Sequence, residues 1–409
     1  VRTAVRQQGA VKERAVTIIP RERLTAAPAA VSAETVAREA GRRPEAELQN
    51  PDMSRSARLA AHGAVSTALS LCSDRTLREL ADAATPLGSG IGGQTLLLDV
   101  EGTPVFVKQV RLTDLELRPE NVRSTANLFE LPVFCHYGVG TIGGPGFGAW
   151  RELAVHAMTT DWVIAGDYEG FPLMHHWRVL PDAGRPLPEE LADVDRAVAY
   201  WGGGSGIRRR IEALQQSSAS IMLFLEYIPQ NLHDWLGVQV EAGDAVAEQA
   251  CAMVDGELEA GISFMNARGL LHFDAHFENI LTDGKRLFFA DYGLAISSRF
   301  ELTPGESAFF DEHRGYDRYY AVTHLVNWLA VALYGHSPDE RKAFVRSCAQ
   351  GVSPDGAPAV VAAALLRYAP VAAVVGDFYR QFQRESRETA YPLEAIRRIG
   401  QEQTAEIHP

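Results

Sequence analysis

Between Leu270 and Ala295 the chain reads LLHFDAHFENILTDGKRLFFADYGLA, and it sets Asp274, Asn279 and Asp291 among runs of Leu, Ile and Phe. A carboxylate without a partner in apolar surroundings costs several kcal/mol or more, so each of these groups needs one. Carboxylate and amide oxygens are hard ligands that suit a cation such as magnesium. An aspartate beside a hydroxyl can take its proton. Together these are the demands of phosphoryl transfer, which needs positioning and charge neutralisation more than covalent participation. In that chemistry Asp274 accepts the hydroxyl proton, while Asn279 and Asp291 offer oxygens to magnesium. His272 and His276 flank the aspartate as further candidate catalytic residues.

The spacing strengthens this reading. His272, Asp274 and Asn279 fit the pattern H-x-D-x-x-x-x-N, and Asp291-Tyr292-Gly293 fits D-F-G with Tyr in place of Phe. Between them, ILTDGKRLFFA predicts two short strands joined at Asp283-Gly284, which return Asp291 to the neighbourhood of Asn279. On these motifs the chain resembles the protein-kinase-like superfamily, which includes eukaryotic-type protein kinases and the aminoglycoside and choline phosphotransferases. The resemblance covers roughly residues 85–340. It implies an α+β, two-lobed fold with a small β-rich N-lobe and a larger helical C-lobe, and ATP and magnesium as cofactors.

The elements that must position this chemistry can be followed backward along the chain. PLGSGIGGQTLLLDVEGTPVFVKQV resembles a glycine-rich loop between strands, followed by the strand carrying the ATP-binding lysine, here Lys108. Gly88, Gly90 and Gly92 would let backbone N–H groups approach phosphate. Glu152, in the helical stretch AWRELAVHAM, is the expected partner of Lys108, with Glu116 and Glu120 as nearer rivals in sequence. MLFLEYIPQNLHDWL resembles the strand and hinge joining the lobes, which makes Glu226 and Ile228 nucleotide-binding candidates through their backbone. YDRYYAVTHLVNWLAVALYG resembles a buried helix whose Asp317 holds the catalytic-loop backbone.

Three segments follow from this frame: an extension over residues 1–56, an N-lobe with preceding helices and insertions over 57–228, and a helical C-lobe over 229–409. Two stretches read as insertions, 117–147 and 181–220, and Arg208, Arg209 and Arg210 in the second read as a solvated helix start or, alternatively, as a patch for an anionic substrate. The resemblance departs from protein kinases at the acceptor side. Phe273 stands where an Arg usually precedes the catalytic Asp, His276 stands where a Lys is usual, and no A-P-E follows Asp291. Tyr292-Gly293-Leu294-Ala295 points back toward protein kinases. The expected acceptor is therefore Ser/Thr of a protein or peptide, with ribosomal-peptide biosynthesis and a partner lyase as one setting. A small-molecule alcohol (antibiotic, sugar) is the alternative, and a non-catalytic nucleotide-binding protein the second.

Composition excludes other classes. Net charge is −13, which argues against nucleic acid as a partner. No uninterrupted apolar run reaches the length of a membrane span, and the first residues lack a secretory core, so a cytoplasmic protein without a membrane partner is expected. Cys72, Cys135, Cys251 and Cys348 are scattered without metal-ligand spacing and read as reduced structural thiols. His175 and His176 are adjacent and so diverge on a strand.

Overall fold

The computed structural model describes residues 53–90, 93–140, 142–182 and 186–407. Most of the expected extension and Gly92 of the glycine loop lie outside the described residues. The chain opens with α1 (Arg55–Ser70) and α2 (Asp74–Ala83), and Ser73 caps α2 by accepting from the Thr76 N–H. β1 (Thr85–Gly90), β2 (Gly93–Val100) and β3 (Thr103–Leu112) follow as an antiparallel meander. The β2–β3 turn holds Glu101 and Gly102 at φ 55° and 80°, the left-handed geometry that two-residue hairpins use.

A long connection leads to α3 (Ala149–Ala165) and then to β4 (Met174–Pro181). α4 (Glu189–Ala192), α5 (Val194–Tyr200) and α6 (Ser205–Gln215) precede β5 (Ala219–Glu226). The five strands form one antiparallel sheet in the order β1-β2-β3-β5-β4. Its β5, ASIMLFLE, is apolar almost throughout because both faces are covered. Leu96, Leu98, Val107 and Phe224 pack against Val65 and Leu69 of α1 and Leu77 of α2. On the other face Ile221, Leu223 and Leu225 pack against Ala149, Trp150 and Leu153 of α3.

The rest is mainly helical. β6 (Gln230–Asn231), α7 (Leu232–Glu241) and α8 (Asp244–Ala267) lead to the short strands β7 (Leu270–Leu271), β8 (Ile280–Thr282), β9 (Leu287–Phe289) and β10 (Ile296–Ser297). β8 and β9 pair antiparallel with Ile280 opposite Phe289, so Asn279 and Ala290 meet through an N–H···O bond of 3.0 Å. The chain closes with α9 (Pro304–Glu312), α10 (Tyr316–Tyr334), α11 (Pro338–Ala349), α12 (Ala359–Arg384) and α13 (Leu393–Ile407). The architecture is α+β.

Both expected insertions fold into the large helical core. Phe129, Leu131, Cys135 and Tyr137 from the first, and Leu191, Trp201, Ile207 and Ile211 from the second, share it with α8, α10 and α12. Among the described residues one helix, α12, is long and apolar enough to cross a membrane by length and composition. Its Val361, Leu365, Val375 and Phe378 are buried in this same core.

Candidate active site

β3 presents Lys108 inward, in register with Leu223 of β5. Its Nζ lies 2.7 Å from Glu152 Oε1 and 2.9 Å from Asp291 Oδ1. Burial alone would push the Lys108 amine down, but Asp291 and Glu152 together outweigh it and raise it. Burial pushes the Glu152 carboxyl up against the pull of Lys108. Burial also opposes ionisation of Asp291, yet the Lys108 charge and the Lys108 and Gly293 hydrogen bonds bring it down to about 2. Of the three glutamates weighed for Lys108, Glu152 is the one in contact. Glu116 instead pairs with Arg210 at 2.8 Å and caps the start of α3 by accepting from the Ala149 N–H.

The stretch between β7 and β8 holds the remaining groups. Asp317, buried in the first turn of α10, accepts from the N–H groups of His272 at 2.7 Å and Phe273 at 2.8 Å. This fixes Phe273 in a left-handed conformation at φ 63°, matched by Asp291 at φ 62°; such backbones cost energy and persist where packing over-determines them. His272 is fully buried. Its Nε2 meets the Ala290 carbonyl at 2.9 Å, and its Nδ1 accepts from the Asp274 N–H at 3.3 Å, which assigns the proton to Nε2. The ring of His272, expected among the catalytic residues, is turned to backbone groups, and His272 lines neither cavity described below.

Asn279 Nδ2 donates to the Asp274 carbonyl at 3.0 Å and to Asp274 Oδ2 at 3.1 Å. Burial raises the Asp274 carboxyl to about 6, with His276 pulling the other way. His276 lies 3.8 Å from Asp274 Oδ1 and 2.8 Å from Glu278 Oε2. Burial works against its protonation, but the Glu278 bond and the Asp274 charge raise it overall. The site therefore pairs a carboxylate that titrates near 6 with an imidazole inclined to carry charge.

Two cavities meet at Asp291. One, of about 220 Å³, is lined by Leu87, Phe106, Lys108, Tyr227, Ile228 and Asn279 among others. The Glu226 carboxylate is turned away into a bidentate pair with Arg58 (2.8 and 2.7 Å) and also accepts from the Leu173 N–H at 3.0 Å. Its backbone is what it can offer the cleft. Gly88 and Gly90 lie in β1 opposite Thr95 and Gly93. Gly93, not singled out from sequence, is the glycine the hairpin requires, because at φ +121° an added Cβ would lie 2.0 Å from the Gln109 carbonyl oxygen. The second cavity, of about 360 Å³, lies beside Asp274 and His276 and is lined by residues 138–140, 143–146 and 148.

Sequence reasoning missed three groups. His156, one turn beyond Glu152, lines the first cavity with neither ring nitrogen paired among the described residues; burial, then Lys108, lower it to about 3. Arg58 carried no signal, since its partner Glu226 is 168 residues away. Gly138 was visible as part of a glycine-rich insertion, but not its contact with Asp274, where a Cβ would lie 2.1 Å from Oδ1. Of the two readings of Arg208–Arg210, an anionic-substrate patch and a solvated helix start, the patch is not formed. Arg208 pairs with Asp195, Arg209 with Glu130 and Arg210 with Glu116, because consecutive helix positions point in different directions. Comparison with protein-family models and with curated proteins finds no match to this chain.

Proposed function

We propose that this chain is an ATP- and magnesium-dependent phosphotransferase that phosphorylates a hydroxyl group, on a two-lobed protein-kinase-like fold. The observation that carries the reading is the cluster of Lys108, Glu152 and Asp291 at 2.7 and 2.9 Å, with Asp274 and Asn279 beside it. The cluster draws on the sheet, on α3 and on the β9–β10 connection, so it ties the sheet to the helical part across the cleft. The Ile228 N–H makes no hydrogen bond to another described residue and stays free for the edge of a purine.

The residues fit magnesium. Asp291 is ionised at neutral pH, Asn279 commits its amide nitrogen to Asp274 and keeps its oxygen, and both line the same cavity. Asn279 and Asp291 would hold magnesium together with phosphate oxygens of the nucleotide. The bound ion would neutralise charge on the phosphates. Lys108, held by Glu152, would orient the nucleotide. Asp274 would take the acceptor proton as the acceptor oxygen bonds to the γ-phosphorus and the bond to the β-phosphate oxygen breaks, releasing ADP. His276 would face the transferred group.

Asp291→Ala should abolish magnesium-dependent nucleotide binding, read by a fluorescent ATP analogue. Asp274→Asn should keep that binding and lose transfer by ~10²–10⁴-fold. Near-normal turnover in Asp291→Ala would remove the reading. Nucleotide binding without any turnover in the wild type would favour the non-catalytic alternative. Of the two acceptors expected from sequence, Ser/Thr of a peptide and a small alcohol, the volume of about 360 Å³ beside Asp274 favours the smaller.

A further inference from the structure

The described residues between Tyr137 and Ala149, 138–140 and 142–148, form a strap laid against the catalytic aspartate. Gly138 comes so close to Asp274 that a Cβ would stand 2.1 Å from its carboxylate, and at Gly140 a Cβ would stand 1.6 Å from the Tyr200 hydroxyl. Both positions need a bare backbone. The strap is held by Arg210, whose Nε donates to the Pro145 and Gly146 carbonyls, and by bonds at Gly143 and just before its start. His136 Nδ1 meets the Leu294 carbonyl at 2.8 Å, Trp201 Nε1 donates to the Gly143 carbonyl at 3.1 Å, and the Tyr137 hydroxyl meets His313 Nε2 at 2.7 Å. The chain after Asp291 is buried at Leu294, Ala295, Ile296 and Ser297.

The charges around the cavity under the strap are accounted for. Arg210 is paired with Glu116 and Glu152 with Lys108, and the Arg111 guanidinium donates to the Leu214 and Pro186 carbonyls. Asp274, His276 and Asp291 belong to the chemistry proposed above. What remains is glycine backbone and the apolar side chains Val110, Val139, Leu214 and Leu294. Its volume of about 360 Å³ lies near the lower end of small-molecule sites. Resting on the phosphotransferase reading, we propose that the strap and α6 form the acceptor site for a compact, uncharged molecule bearing hydroxyl groups. Strap peptide groups would bind the hydroxyls that are not phosphorylated. Among the described residues that line the cavity, every carboxylate outside the catalytic pair and the metal ligand is partnered, leaving none for a cationic acceptor, and every arginine is partnered, leaving none for an anionic one.

The test reads the size and charge filter without requiring the acceptor in hand. Val139→Cys, which lines the cavity, and Val352→Cys, a 55% exposed control elsewhere, are made in the full chain with Cys72→Ser. Native Cys135, Cys251 and Cys348 are buried. Each variant is treated with neutral methyl methanethiosulfonate, with its trimethylammonium and sulfonate analogues, and with the same reactive group on a Ser/Thr peptide. Relative to the Val352→Cys control, the charged and peptide reagents should react at Val139→Cys about tenfold or more slowly than the neutral one, since access sets the rate for a given thiol. Equal reactivity of the peptide or charged reagents, or no reaction with the neutral one, overturns the proposal. Magnesium-dependent nucleotide binding by the same variants reports separately on the phosphotransferase reading. A mass-detected acceptor screen adds the last arm: neutral polyols, sugars and nucleosides gain phosphate if the proposal holds, whereas preferential labelling of Ser/Thr peptides or aminoglycosides contradicts it while leaving phosphotransfer intact.

Discussion

Asp274 and Asp291 are the same residue type lining one cavity but opposite in electrostatics: one is raised to about 6 by burial, the other brought down to about 2 by Lys108 against its own burial. A base works only when ionised. The value of kcat/KM measured against ATP, which reports the free enzyme, should therefore hold above about pH 6 and fall as Asp274 takes up a proton below it. Asp274→Asn should flatten that limb. A wild-type profile with no inflection near pH 6 would assign the base elsewhere. Lys108→Ala and Glu152→Ala should each weaken nucleotide binding, and the double variant should be no worse than Lys108→Ala, because the two act as one pair. Fully additive losses would mean Glu152 acts on its own. At this scale the sequence was most legible. The spacing of His272, Asp274, Asn279 and Asp291 is set by a tight loop and a short hairpin, so local chain geometry alone brings them together. The catalytic placing of His272 was less legible, because which way its ring turns depends on the Ala290 carbonyl, a partner that spacing does not reveal.

Elements brought together over long sequence distances were harder to read. The helix bearing Glu152 was visible, but the 36 residues between Leu112 and Ala149 hid how that helix returns to Lys108. Nothing in the sequence marked α1 as its anchor. Arg55 Nη2 donates to the Ile164 carbonyl near the end of α3 at 2.7 Å, and Arg58 binds Glu226 together with the Glu169 and Phe171 carbonyls at 2.9 and 2.6 Å. One buried guanidinium thus joins α1, the turn after α3 and the end of β5. Arg58→Met should lower unfolding stability by about 3 kcal/mol, since it leaves a carboxylate buried without its partner, and should weaken nucleotide binding. Arg75→Ala, in the exposed pair with Glu79 on α2, should change stability by about 0.5 kcal/mol or less. Urea denaturation of the two variants checks this; equal small losses would show that α1 does not hold the end of β5.

Across the whole molecule, the cleft lies between a sheet covered on both faces and a helical core that has absorbed both insertions. Their Gly, Pro and charge content marked them as irregular, yet the aromatic and aliphatic residues spread through them, Phe129, Tyr137, Trp201 and Ile211, are what bury them. Sequence could not say which core they join, because that depends on tertiary packing and not on local period. A ligand spanning the cleft touches both sides, so magnesium-ATP at about 100 times its Kd should stabilise the fold by ~2.7 kcal/mol, seen as a rise in thermal midpoint that Asp291→Ala loses. The most direct test of the central claim follows γ-labelled ATP with the wild type, Asp274→Asn and Asp291→Ala, using a mixture of neutral polyols, sugars and nucleosides as acceptor and with magnesium present or withheld. The account predicts label on an acceptor hydroxyl only in the wild type with magnesium, with ADP formed in equal amount. Label transferred equally well by Asp274→Asn, or without magnesium, would contradict it.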